Sequence, residues 1–184
     1  ICRLGVMLSP TGGGPGSDWF LTQLFGYLGA ALASGIVFGH DEDTLVAALG
    51  LAYMQAAGGK QAGFGTGSTA RAIYPAFAAM GGVQASLLAD AGITGPEQAL
   101  DGAAGLFRIY LGMEASDAQR ALLLDKERWH FEPVEIKPWP SCRLSHPYVA
   151  AALDLRAQLL EAGHIDDDMD RIEVGVNASA AKLC

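Results

Sequence analysis

Basic residues are scarce in this chain. Twelve Lys and Arg stand against twenty Asp and Glu in 184 residues, a net charge of −8. No long basic run occurs, which argues against nucleic acid as a partner. Cysteine is scarce too: Cys2, Cys142 and Cys184 are far apart and odd in number. There is no CxxC and no zinc-type spacing, so a reduced, cytoplasmic setting is expected in place of a disulfide framework. Ile1 to Pro10 lacks the charged-then-apolar order and the cleavage site of a secretory leader. Ser9 to Ser17 (SPTGGGPGS) is a loop by its Gly and Pro content, but no Gly-Lys-Ser/Thr follows, which excludes a P-loop. Asp166-Asp167-Asp168 lacks the spacing of a calcium loop and reads as a solvated turn, so no metal is expected. No internal repeat is visible.

Apolar residues are abundant, at 51%, with 24 glycines, so the chain is expected to fold. Its length suits one domain, or one and part of another. Trp19 to Gly39 carries no charge and is long enough to span a bilayer. Thr22, Gln23 and Ser34 interrupt it, and Asp18, His40, Asp41, Glu42 and Asp43 flank it with acid, not Lys or Arg. A fully buried helix of an all-α core is therefore expected, with no membrane partner.

Helices are expected from a cap at Ser17 or Asp18 through Phe38, over Asp43–Ala57, from Thr69 to Ala91, from Pro96 to Tyr110, and from Ala115 to Leu124. The second should bury Leu45, Leu49, Ala52 and Ala56. Pro75 must kink the third or mark its true start. Gly58 to Ser68 reads as a glycine-rich loop. After Trp129 the pattern changes. Val134-Glu135-Ile136-Lys137 alternates like a strand, Pro147–Ala162 is an amphipathic helix stopped by Gly163, and Asp170–Asn177 (DRIEVGVN) alternates again. The expected fold class is mainly α: residues 1–130 belong to an all-helical domain, and 131–184 form the strand-helix-strand start of a smaller α+β lid. Strand-helix-strand cannot cover its own sheet, so the lid is incomplete.

The segment Lys137-Pro138-Trp139-Pro140-Ser141-Cys142-Arg143-Leu144-Ser145-His146-Pro147 gathers a lysine, a thiol, a guanidinium and an imidazole. Its prolines stiffen the backbone and suggest a strand end running into a loop that opens a helix. Such a loop makes an anion site, if the Lys and Arg are not simply solvated and the Cys simply packed. His40, His130 and His164 have no evident partners and are expected to be structural or exposed.

Several stretches in one order carry a resemblance. Ala47 to Gly58 is followed by the Gln61–Thr69 loop, then Phe77-Ala78-Ala79-Met80-Gly81-Gly82-Val83. Leu87 to Pro96 ends in Ile-Thr-Gly-Pro, and Lys137 to Arg143 with His146-Pro147 closes the series. Together these resemble the MmgE/PrpD family, which includes 2-methylcitrate dehydratase, cis-aconitate decarboxylase and iminodisuccinate epimerase. The resemblance implies a helical domain and an α+β lid with the active site between them, no cofactor, and a dimer. It also implies further helical sequence before Ile1, bearing a catalytic Asp and His motif, and a lid sheet continuing past Cys184. The 184 residues alone are then expected to be inactive and to self-associate.

By the same resemblance Lys137 is the lid lysine that faces the substrate. Cys142 stands where some relatives place a catalytic histidine, and His146 matches a histidine heading the lid helix. Arg71 and Tyr74 replace a lysine and a histidine of many relatives. Arginine keeps the charge but stays protonated and is a poor proton-transfer group. Lys137, Cys142, His146 and Tyr74 are thus the catalytic candidates, and Arg71 and Arg143 the substrate-binding cations. The two groups are expected to face one cleft. Two functions are expected to compete: a metal-independent lyase or isomerase acting on a small polycarboxylate, and a non-catalytic helical module for binding or assembly.

Overall fold

A computed structural model describes residues 3–5, 17–63, 68–128, 130–131, 134–164 and 170–183. Cys2, residues 9–16 of the first glycine loop, residues 64–67 of the second, Asp166-Asp167-Asp168 and Cys184 lie outside the described residues. The chain divides into two compact units: Ile1–Ala62 with Ser68–Val134, and Gly63–Gly67 with Glu135–Cys184. The described structure is mainly helical, with no strand among the described residues.

Three helices build the core of the first unit: α1 (Leu21–Phe38), α2 (Glu42–Gln55) and α3 (Tyr74–Asp90). Neither Ser17 nor Asp18 caps α1. Their neighbourhood is committed elsewhere: Lys60 N donates to the Asp18 carbonyl at 2.8 Å, Phe20 N donates to the Gly58 carbonyl at 2.7 Å, and Trp19 bridges Gly59. The helix therefore starts after Phe20, which has extended backbone and no side-chain cap. Gly39 ends it in the left-handed conformation, with φ at 80°. Asp41 then caps α2 by accepting from Thr44 N at 2.9 Å, and the Thr44 hydroxyl, followed by that backbone bond, holds its carboxyl below the usual range.

By length and composition α1 could cross a membrane, a test that soluble core helices also pass. Here it buries Gln23 to Leu28, Ala31 and Gly35. The expected full burial is not observed: Ile36, Val37 and Phe38 are 67, 82 and 50% exposed. In that last turn Gly35 meets neighbouring side chains, those of Leu45, His40 and Ser86, and the three residues after it are left open. In α2 the buried line is Ala48 and Ala52, continued by Ala56; Leu45 and Leu49 are only half-buried.

Glycine sets the helix separation. A Cβ on Gly82 of α3 would lie 2.6 Å from the Tyr27 carbonyl oxygen and 2.7 Å from Ala31 N of α1. The Ile-Thr-Gly-Pro turn meets α2 the same way. A Cβ on Gly50 would lie 2.6 Å from the Pro96 oxygen, and one on Gly95 would lie 2.6 Å from Leu51 N. Pro75 marks the start of α3 and does not kink it, because its missing N–H costs nothing in a first turn. A 3-10 turn, Thr69–Ala72, precedes it.

The single helix expected over Pro96–Tyr110 is not formed. Turns occupy 97–105, and only α4 (Leu106–Leu111) is helical. Leu106 N bonds the Ala99 carbonyl, which reverses the chain. A Cβ on Gly105 would sit 2.7 Å from the Leu100 oxygen, so glycine permits that reversal. Tyr110 of α4 donates to the Ala56 carbonyl at 2.8 Å and meets Trp19 edge-on at 5.0 Å. Burial, then the neighbouring Tyr53, pushes its phenol pKa up.

Next comes α5 (Asp117–Leu124), opened by a capping box in which Ser116 and Gln119 satisfy each other's backbone N–H. Ser116→Ala should destabilise the unit by about 1 kcal/mol in a urea melt. An unchanged midpoint would show that the box contributes nothing.

The segments 134–137 and 171–177 are neither strand nor helix, contrary to the expected strand-helix-strand. Ile172, Val174 and Val176 are all exposed, so their alternation faces no core. A strand exists only through its ladder, and the described residues offer these segments no partner. Between them lie the 3-10 turn Arg143–Ser145 and α6 (His146–Glu161), with Pro147 in its first turn and Gly163 left-handed just beyond it. Asn177, expected at a strand end, instead heads α7 (Ala178–Leu183), its side-chain oxygen accepting from Ala180 N at 2.8 Å.

Candidate functional site

Residues 135–146 form a loop stitched to itself. Lys137 Nζ donates to the Ser141 carbonyl at 3.1 Å, which brings the lysine back over the Pro-Trp-Pro turn. The Ser145 hydroxyl donates to the Cys142 carbonyl at 2.6 Å, so in the 2.9 Å contact between the two serine hydroxyls Ser141 is the donor. Arg143 pairs with Glu135. His146 is the first residue of α6, and Trp139 meets its ring edge-on at 5.2 Å. Its Nε2 is buried with no hydrogen-bond partner among the described residues. A buried polar atom left in this way is costly and calls for an explanation. Cys142 is half-buried.

Lys137, Cys142, Arg143 and His146 are thus brought onto one loop by its own hydrogen bonds. Arg71 and Tyr74 belong to the first unit. They share one neighbour, Phe20: the Arg71 guanidinium stands 5.9 Å from the ring centroid, and Tyr74 stacks on the ring at 4.8 Å. Arg71 lies in the 3-10 turn and Tyr74 opens α3, so Phe20 aligns them, not a common helix face.

The sequence reading missed Glu135, Trp139, Ser141, Ser145 and Phe20. Glu135 was hidden in an apparent strand, although a carboxylate eight residues before an arginine, with prolines between, can fold back on it. The three histidines expected to lack partners have them. His40, with a side chain only 4% exposed, approaches the Ser86 carbonyl at 3.2 Å and the Asp90 carboxylate at 3.7 Å. His130 Nε2 faces the Asp125 carboxylate at 3.6 Å, an ionic approach without a hydrogen bond, and the ring of His164 or its backbone is also engaged. Each partner comes from chain folding that spacing alone does not show.

A cleft of about 190 Å³ in the first unit holds none of the candidate residues. Its arginines are already paired, Arg120 with Asp101 at 2.6 Å and Arg108 with Glu114 at 3.5 Å. The Arg120 hydrogen bond holds the Asp101 carboxyl below its usual range. Among the described residues no group of three or more His, Cys, Asp or Glu side chains is placed to hold a metal ion.

The glycine-spaced bundle and the cation-bearing loop define a mainly α protein with a helical N-terminal domain and a separate, smaller second unit. Residues 1–119 match the family model of the MmgE/PrpD N-terminal domain, nearly two thirds of the chain, and the protein belongs to the MmgE/PrpD family. A search of curated proteins finds no match.

Proposed function

We propose that the protein is a metal-independent lyase or isomerase that acts on a small polycarboxylate by dehydration, decarboxylation or epimerisation. One observation carries the reading: in an acidic chain of this family, Lys137, Cys142, Arg143 and His146 lie on one stiffened loop, and the His146 Nε2 is buried with no hydrogen-bond partner among the described residues. All three reactions develop negative charge beside a carboxylate. They need cations to hold it and a group to move a proton. Arg143 and Arg71 are assigned the carboxylates. Lys137, His146, Cys142 and Tyr74 are assigned proton transfer, with Lys137 foremost.

The test is incubation in D2O with 2-methylcitrate, cis-aconitate or iminodisuccinate, followed by NMR. The protein at its full natural length should exchange or convert at least one of them. Failure of the full-length protein on all three would count against the reading.

A second reading, a helical module used for binding or assembly, draws on a different observation. Ile73, Phe77, Met80, Val83 and Leu87 form an exposed apolar stripe, 39–65% accessible, along α3. Isolated exposed apolar residues are ordinary; a continuous stripe marks an interaction surface. We assign it to self-association of a cytoplasmic homo-oligomer, which suits either reading. Sedimentation should give more than the monomer mass, and Met80→Asp should lower it. A wild-type monomer at tens of micromolar would reject the assignment.

A further inference from the structure

We infer that Glu135 is an internal competitor for the substrate's carboxylate, holding Arg143 until an anion displaces it; this rests on the polycarboxylate reading above. Both cations of the loop are engaged by oxygens of the same loop. Lys137 reaches the Ser141 carbonyl and Arg143 the Glu135 carboxylate. A carboxylate on a guanidinium is the contact that an incoming polycarboxylate would make. Glu135 therefore sits at one end of the guanidinium, on Nη2, where that ligand would also bind.

The two contacts differ in what replacing them requires. Lys137 keeps spare donors while bonded to a carbonyl, because an ammonium has three. Arg143 also keeps donors, but its partner is charged: an incoming carboxylate meets the Glu135 carboxylate already on Nη2, so the two like charges compete for one guanidinium. The competition is mild. Both side chains of the pair are about 70% exposed, at 71 and 69%, and such pairs change an equilibrium by about fivefold at most. Glu135 is thus a brake that a tight ligand overcomes and a weak one does not. It favours ligands with more than one carboxylate, since a second group held by Lys137 or His146 offsets the exchange at Arg143. Glu135 touches no reacting atom in this account and acts only through Arg143.

Citrate serves as the probe, titrated calorimetrically at low ionic strength into the wild type, Glu135→Gln, Arg143→Met and the double variant. Circular dichroism checks folding; an exposed pair should be removable without unfolding. Glu135→Gln should bind citrate about two- to fivefold more tightly than wild type, and the gain should vanish when Arg143 is Met. Equal affinity in the wild type and Glu135→Gln would overturn the inference and leave the anion site standing. A gain that persists without Arg143 would also overturn it, because it would then be a diffuse effect of removing one negative charge. Absence of citrate binding in every variant would overturn the polycarboxylate reading, and this inference with it.

Discussion

Gly82→Leu should abolish cooperative folding of the helical unit. A Cβ at this position would lie 2.6 and 2.7 Å from backbone atoms of α1, where ordinary contact begins near 3.4 Å. Those atoms are main chain and cannot swing aside as the tip of a side chain can. Helix propensity favours Ala over Gly by about 1 kcal/mol, and overpacking typically costs about 1–3 kcal/mol, more against backbone. The clash therefore wins. Gly82→Ala should lose about 1–2 kcal/mol net, and Gly82→Leu should show no sigmoidal melt by circular dichroism. Separating α1 from α3 would also loosen Leu24, Phe25, Leu28 and Ala85, which are at most 1% exposed. Gly59 is the control, since a Cβ there meets nothing within 4 Å. A wild-type melt for Gly82→Ala would refute the close approach of the two helices.

The second large effect is expected at Lys137. If it moves the proton, Lys137→Ala should slow turnover or deuterium exchange by about 10²–10⁴-fold. Lys137→Arg tells the two possible roles apart. Arginine keeps the positive charge but stays protonated, so it can hold a carboxylate and cannot serve as a base. The catalytic assignment requires both variants to fail, with KM nearly unchanged for Lys137→Arg. Substantial activity in Lys137→Arg would make the residue a clamp and end its role as base. The carbonyl of Ser141, which now receives the lysine, remains available to either side chain.

The helices were legible where local chemistry is strong. The acidic start at Asp41–Asp43, Pro75 and Gly163 each mark a boundary by a cap, a missing donor or a left-handed turn. They were illegible where a distant partner decides. Asp18 is a good cap residue whose backbone is taken by Lys60, and Gly102 and Gly105 turned an apparent fourth helix into a reversal. The alternation of Ile172, Val174 and Val176 was a true pattern without a strand to pair with among the described residues. At the site, the loop carrying Lys137 to His146 was readable because proline and charge are concentrated in it. Its internal wiring was not. Spacing cannot tell that Arg143 turns back to Glu135, or that Trp139 closes on His146.

A bundle whose helices meet at Gly26, Gly35, Gly81 and Gly82, with Ala31, Ala48, Ala52, Ala78 and Ala85 fully or almost fully buried, draws on an unusual balance of entropy. Ala and Gly have no rotamers to lose, so this core is ordered at little side-chain cost, while each residue also removes little apolar area from water. The glycines raise the backbone cost instead, because each was freer in the unfolded chain. Drift of the sequence is constrained accordingly. A position filled by leucine can exchange it for isoleucine or methionine with repacking, whereas a glycine at a helix crossing has no larger neighbour in the alphabet that fits. New variation should therefore accumulate on the long side chains around the bundle, and the small residues at its crossings should be the slowest to change.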